Sequence, residues 1–283
     1  RPLDGIQTLF DLSPDPRHAL AVKPRSVCVL AYDNVNNFGD RLGWGQLAPL
    51  LPGGAVVERH TLRPFTANPD RLYDLVVVGI GNSLFGGLFS AKLERLVKNA
   101  RWAIGVYGTQ YRALTDPAAA QRLAAALDVW FARYEEDRLL YGRAGAETTH
   151  LGDWLIGAFP QRRWTEDGEI EIDKTLSSAA ALDRTIWEIQ RWRTVRSPRI
   201  HPLLCALCSA ERVAYREQRE WPDKPDVVSG KFGAMLQDVF GRRYPENDLF
   251  TVDHGRVGAY RDYVASGVDR LRGASATALA PGV

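Results

Sequence analysis

The chain predicts an α/β protein whose first half is a doubly wound parallel sheet. Short, nearly continuous apolar runs recur at 26–33 (SVCVLAYD), 74–81 (DLVVVGIG) and 101–110 (RWAIGVYGTQ). Runs of this kind belong to strands covered on both faces, as in a parallel sheet. Stretches with helical spacing stand between them, and that alternation is the mark of βα units. With 283 residues, 45% hydrophobic and 25% charged, the chain can bury the core of two modest lobes.

The first strand is bounded by Pro24 and Asn34. A helix follows from Asp40 to Leu51, closed by Pro52 and Gly53, with Asp40 expected as its N-cap and Gly39 free to take a positive φ. Leu88 to Ala100 and Asp116 to Leu127 read as the next helices; in the second, Asp116 caps and Pro117 takes the first helical position. LDVWFARYEEDRLLYGR (127–143) reads as a strand ending at Arg133 and a helix from Glu135 to near Gly142. Ligands of open α/β sheets sit beyond the carboxyl ends of the strands, which is where Arg133 falls. THLGDWLI (149–156) reads as the last strand of this half. QRRWTEDGEIEID (161–173) turns polar, with a turn at Asp167-Gly168, so the division falls between an N-terminal unit, 1–158, and a C-terminal unit, 159–283. The second half is irregular but still α/β: a helix from Ser178 to Arg193, a short strand at 194–197, a helix starting at Pro202, a strand at 212–217 and a helix from Gly230 to Phe240. A last helix lies within 251–273, and the tail beyond Gly273 is expected to be mobile.

A net charge of +2 offers no dense basic face, which argues against a nucleic-acid partner. No window approaches the roughly 18 apolar residues of a membrane span, and the first residues lack the layout of a secretory signal. The three cysteines, Cys28, Cys205 and Cys208, form no disulfide framework and suit a reducing compartment. The expected location is the cytoplasm, with the inner membrane surface left open.

Three stretches carry candidate chemistry. In SPRIHPLLCALC (197–208), a helix with Pro202 at its first position makes His201 the N-cap and puts Arg199 in the entering loop. Unpaired N–H groups, a guanidinium and an imidazole then converge on a place for a carboxylate or phosphate. The alternative is a histidine that only caps and an arginine paired with a surface acid. His201, Cys205 and Cys208 share a helix face, but a closed zinc site wants four ligands and Cys28 lies far off, so no metal is expected. Around Asn37-Phe38-Gly39-Asp40 a strand turns into a helix, and the Asp40 carboxylate suits sugar hydroxyls better than phosphate; a cap and tight turn explain the same residues. Gly79 and Gly81 end a strand, but G-x-G-x-x-x-x-G is not the dinucleotide spacing. A backbone-lined ligand edge and simple close packing both remain.

Taken in order, these pieces resemble the polysaccharide pyruvyl transferase family. Asn37-Phe38-Gly39-Asp40 is similar to its N-x-G-D, Gly79-Ile80-Gly81-Asn82 to its glycine-rich strand end, and Ala132-Arg133-Tyr134-Glu135 to its R-D/E turn. Arg199-Ile200-His201 is similar to its R-x-H, and Ser229-Gly230-Lys231-Phe232 to its late lysine before a helix. The chain departs from the family in carrying Tyr134 where an aspartate is usual, GIG in place of GGG, and a short second half. The resemblance implies a GT-B-like fold, two Rossmann-like halves with a parallel sheet in each. It also implies transfer of the enolpyruvyl group of phosphoenolpyruvate onto two hydroxyls of a sugar, in a polysaccharide or its precursor, to give a pyruvate ketal and phosphate.

Catalytic roles then fall to His201, Arg133 and Arg199, and substrate contacts to Asn37, Asp40, Gly81, Asn82 and Lys231. The partners are a small donor and a carbohydrate acceptor, its lipid linkage open, with no cofactor besides the donor. Two guanidinium forks suit so small and highly charged an anion, and a histidine titrating near neutrality suits proton delivery to the methylene carbon. Two other classes stay open: a GT-B glycosyltransferase using a nucleotide sugar, and a non-catalytic sugar-binding relative.

Overall fold

The computed structural model describes residues 25–32, 37–51, 53–142, 147–172, 181–221 and 223–280. The first sheet contains β1 (Ser26–Ala31), β2 (Val56–Thr61), β3 (Leu75–Leu84), β4 (Ala103–Thr109), β5 (Val129–Ala132) and β6 (Glu147–His150). Its order is β2-β1-β3-β4-β5-β6 and every pairing is parallel. β3, β4 and β5 are buried along their whole length, the reason their sequences read as continuous apolar runs. β2 has no such run: VVERHT is an exposed to half-buried edge strand, which the apolar pattern does not reveal. The chain moves outward from β1 to β2 and then returns past β1 to β3, so its direction across the sheet reverses there. A crevice opens at the carboxyl edge of such a reversal.

Four helices accompany this sheet: α1 (Phe38–Leu47), α2 (Ala91–Asn99), α3 (Pro117–Ala126) and α4 (Glu135–Tyr141). α3 starts as its sequence predicts, with the Ala118 N–H donating to Asp116 Oδ1 at 3.0 Å and Pro117 in the first turn. The start of α1 differs from expectation. Asn37 is the cap, its Oδ1 accepting the Gly39 N–H at 2.9 Å, so Asp40 lies inside the first turn with its carboxylate free for other partners.

The second sheet contains β7 (Glu166–Glu171), β8 (Trp192–Ser197), β9 (Arg212–Tyr215) and β10 (Phe250–Thr251), in the order β10-β9-β8-β7. β7, β8 and β9 are parallel, but β10 is antiparallel, so the sheet is mixed where a parallel one was expected. The Asn247 N–H donates to the Tyr215 carbonyl at 2.8 Å. The chain has therefore already reached the carboxyl end of β9 and enters β10 heading back. The associated helices are α5 (Leu182–Gln190), α6 (Ile200–Leu207), α7 (Lys231–Phe240) and α8 (His254–Ala278). The two sheets give the α/β, GT-B-like layout predicted, the smaller one in the second half.

Other boundaries move for local reasons. α6 begins at Ile200, making Arg199 the cap and placing His201 in the first turn; Pro202 is tolerated because the opening N–H groups of a helix have no intrahelical partner. The apolar run 149–156 is not one strand. β6 stops at His150, Gly152 takes φ 81°, and Trp154–Ala158 forms a 3-10 turn. Asp167-Gly168 is no turn but an irregularity of register within β7. α8 continues to Ala278 with Leu271, Ser275 and Ala278 buried, so the segment after Gly273 is helical where a mobile tail was expected. The expected boundaries at Pro24, Asn34, Pro52 and Ser178 lie outside the described residues.

One apolar cluster joins the halves, running from Val27, Val77 and Ile104 through Trp154 and Phe159 to Val195, Leu203 and Phe232. A second fills the other face of the first sheet beneath α2 and α3, around Val76, Leu93, Leu123 and Trp130. Each fully buried Leu, Val or Phe here stabilises the fold by about 1.5–3 kcal/mol. Among the described residues no helix is long and apolar enough to cross a membrane.

Candidate functional site

Between the carboxyl ends of the two sheets lies a cavity of about 290 Å³. From the first half its walls include Asn37 and Asp40 on α1, Asn82 and Ser83 on β3, and Gln110 and Arg133 just past β4 and β5; from the second, Arg199 and His201 at the start of α6, Gln218, and Lys231 at the start of α7. Seven of the eight residues singled out from the sequence are thus brought together. The eighth, Gly81, stands behind the wall, its carbonyl accepting an Arg133 hydrogen bond.

The glycines explain how these groups converge. Gly79 and Gly81 take φ of 84° and 90°, a region that excludes most side chains, and the register between β3 and β4 shifts between Val78 and Asn82. This bulge aims Gly81 O at Arg133 and Asn82 Nδ2 at Asp40 Oδ1, 2.8 Å away. At Gly39 the requirement is space: a Cβ there would lie 1.8 Å from His201 Nδ1, so the first turn of α1 rests directly on the imidazole.

Arg133 is 3% exposed and does not present an open fork to the cavity. Its Nε donates to Asp153 Oδ2 at 3.0 Å, Nη2 donates to the same oxygen and to His201 Nε2 at 3.0 Å, and Nη1 donates to Gly81 O at 2.8 Å and lies 3.4 Å from Ser83 Oγ. The five N–H groups of the guanidinium therefore have five protein contacts. The expected bidentate grip on an anion gives way to a buttress that fixes His201 and adds charge at short range. Asp153, fully buried, is the counterion, and its own N–H donates to Tyr260 Oη on α8 at 2.6 Å. Tyr134, where the resembled family has an aspartate, is buried with Arg133 over its ring, 5.1 Å from the centroid.

Arg199 is left open, as is the more exposed Arg63. Arg199 is half-buried, lines the cavity, and no hydrogen bond or ion pair fixes its head group among the described residues. Beside it the Ile200 and His201 N–H groups open α6 without a side-chain cap. The start of α7 is different: Glu217 accepts from the Gly230 N–H at 3.0 Å and the Gly233 N–H at 3.3 Å, so that helix offers the cavity its Lys231 ammonium rather than its backbone. Lys231 Nζ donates to Gln218 Oε1 at 2.5 Å.

The titrations of Asp40, Lys231 and His201 are displaced. Burial pushes the Asp40 carboxyl up to about 7, against the opposing pull of the Asn82 hydrogen bond and the charges of Arg133 and Lys231. Burial and the Arg133 charge bring Lys231 down to about 7. Burial, then Arg133 and Lys231, hold His201 well below its ordinary range. Because a guanidinium only donates, His201 Nε2 is the accepting nitrogen and the neutral imidazole carries its proton on Nδ1. Its surroundings therefore favour the neutral imidazole in the free protein.

Sequence reading missed Asp153, Tyr260, Gln110, Gln218 and Arg63. For Asp153 a signal exists: Gly152-Asp153 follows a strand just as Gly39-Asp40 does, but the apolar residues after it suggest a continuing strand. Cys205 and Cys208 are buried in α6, and no cluster suited to a metal ion occurs among the described residues.

No family model matches the chain, and no curated protein matches it. Among solved structures it is similar to an α-glucosyltransferase in complex with UDP and a 13-mer DNA containing an HMU base. That likeness has 7% identity and a TM-score of 0.38, over 90% of this chain and 95% of the other. A likeness this distant assigns neither activity nor substrate.

Proposed function

We propose that the protein is a pyruvyl transferase that moves the enolpyruvyl group of phosphoenolpyruvate onto two hydroxyls of a sugar. The observation that carries this reading is one small cavity lined by an open guanidinium, an ammonium, uncapped N–H groups of a helix start, a titratable carboxyl and an imidazole. At about 290 Å³ the space lies at the lower limit of small-ligand sites, roughly 300–1,000 Å³, which favours a three-carbon anion over a nucleotide sugar.

Arg199, Lys231 and the start of α6 hold the carboxylate and phosphate, with Arg133 adding charge from behind. The donor's negative charges oppose the burial and the two cations that keep His201 neutral, so the imidazole takes up a proton at Nε2 as the donor binds and gives up the Arg133 N–H it had accepted. Asp40 accepts the proton of the first acceptor hydroxyl while its oxygen bonds to the central carbon of the donor. The methylene carbon takes a proton from His201 and becomes a methyl group. The second hydroxyl then adds to the same carbon as the C–O bond to phosphate breaks, and its proton leaves with the phosphate. General acid–base help of this kind contributes about 10²- to 10⁴-fold.

The test is phosphate release from phosphoenolpyruvate in the presence of a panel of glycosides, with donor binding followed by calorimetry. Phosphate release that requires both donor and a glycoside supports the reading. Absence of phosphoenolpyruvate binding, together with protection by uridine or guanosine nucleotides in a melting assay, overturns it in favour of a nucleotide-sugar glycosyltransferase.

A further inference from the structure

Asp40 faces two spaces. Besides the cavity between the sheets it lines a second, of about 300 Å³, over the carboxyl ends of β1, β2 and β3; Tyr32 is the other residue shared by the two. The second cavity is built differently from the first. Ala31, Ile80 and Leu182 supply hydrocarbon, and Asp40 and Thr61, whose hydroxyl donates to the Pro64 carbonyl and is left to accept, supply polar groups. Trp44 on α1 forms one side, with the Arg59 guanidinium over its ring 3.3 Å from the centroid. A wall that mixes flat apolar surface with polar groups matches a pyranose, which offers C–H faces and hydroxyl edges. Its volume suits one such ring rather than an oligosaccharide.

The position of Asp40 decides what belongs there. A hydroxyl that gives its proton to Asp40 must approach from a space the carboxyl also faces and the donor does not fill. The geometry points to the cavity lined by Trp44, Ala31, Thr61 and Leu182 as the seat of the acceptor's hexopyranose ring, with Asp40 standing between acceptor and donor. This rests on the pyruvyl-transfer reading for the identity of the donor, but not for the sugar. Leu182 comes from α5 in the second half, so an occupied ring touches both halves of the chain.

The experiment measures two ligands separately. Methyl glycosides of eight common hexopyranoses, galactose and mannose among them, are screened against the full chain by saturation-transfer NMR without donor. Phosphoenolpyruvate binding is measured by calorimetry. Ala31→Phe fills the cavity and Trp44→Ala removes a wall; melting curves establish that each is folded. At least one glycoside should bind the wild type, lose its signal in Ala31→Phe and weaken at least tenfold in Trp44→Ala, while phosphoenolpyruvate affinity stays within twofold. Should Ala31→Phe fail to fold, Trp44→Ala, a change on the half-buried face of a surface helix, decides the matter alone. Binding of no glycoside by the wild type, or glycoside binding within twofold of wild type in the folded variants, overturns the assignment. Glycoside binding that responds as expected in a protein that ignores phosphoenolpyruvate leaves the sugar cavity standing and removes the donor reading instead.

Discussion

Replacing Asp40 with asparagine should make the protein more stable and inactive, and the gain should depend on pH in a defined way. The carboxyl titrates near 3.8 when unfolded and at about 7 in the fold, so the native state resists its ionisation. At about 1.4 kcal/mol per pH unit the displacement corresponds to about 4 kcal/mol. The sign follows from the direction. A group raised on folding favours the native state below its unfolded pKa, and that contribution is lost as pH rises through the folded value. Asp40→Asn removes this loss while keeping an oxygen for the Asn82 hydrogen bond. The variant should therefore exceed wild type by about 4 kcal/mol above pH 7, by about 1.6 kcal/mol at pH 5, and by almost nothing well below pH 3.8. In a chain of this length each kcal/mol raises Tm by about 2 °C. The assay is denaturant unfolding of both proteins at pH 8.5 and pH 5, with phosphate release measured alongside. A stabilisation equal at both pH values, or a destabilisation at pH 8.5, would refute the argument that burial of this carboxyl is what raises it.

His201→Ala should abolish phosphate release while the protein stays folded, and turnover within threefold of wild type would reject its acid role. Phosphoenolpyruvate binding at pH 8 should draw protons from buffer, because Lys231 titrates at about 7 and His201 well below its ordinary range in the free protein, and the anion raises both. Calorimetry in buffers of different ionisation enthalpy reads this uptake, which should fall in His201→Ala; net proton release would contradict it. Arg133→Lys keeps the charge but not the fork, and should lower stability by about 1–3 kcal/mol by leaving acceptors at Asp153 and Gly81 unsatisfied, whereas Arg199→Ala should leave Tm within about 1–2 °C and weaken donor binding at least tenfold. Equal melting temperatures in those two variants would undo the division between buttress and grip. Gly39→Ala should cost at least tenfold in turnover, since its Cβ would displace the imidazole it meets at 1.8 Å.

What the sequence made legible follows the range of the interaction. The cap of α3 and the end of α4 near Gly142 depend on residues within a few positions and were read correctly. Continuous apolar runs announced β1, β3 and β4 because both faces of those strands are covered. β2 was missed because an edge strand needs no such run. The Trp154-Leu155-Ile156 segment reads as strand because its burial comes from packing beneath α8, which periodicity does not register. Seven of the eight candidate site residues line one cavity, but what each side chain bonds to is not written in its local sequence. That Arg133 is spent on Asp153 and Gly81, 20 and 52 positions away, depends on contacts no local pattern contains.

The bond from the Asp153 amide to Tyr260 Oη bears on how the protein is made. Every strand of the first sheet has left the ribosome before residue 260 is added, so a nascent chain can build its larger lobe while the amide beneath Arg133 still lacks its permanent acceptor. The pocket floor is finished only once α8 has been added, and until then the Asp153 backbone that carries the guanidinium's counterion lacks the hydroxyl that fixes it.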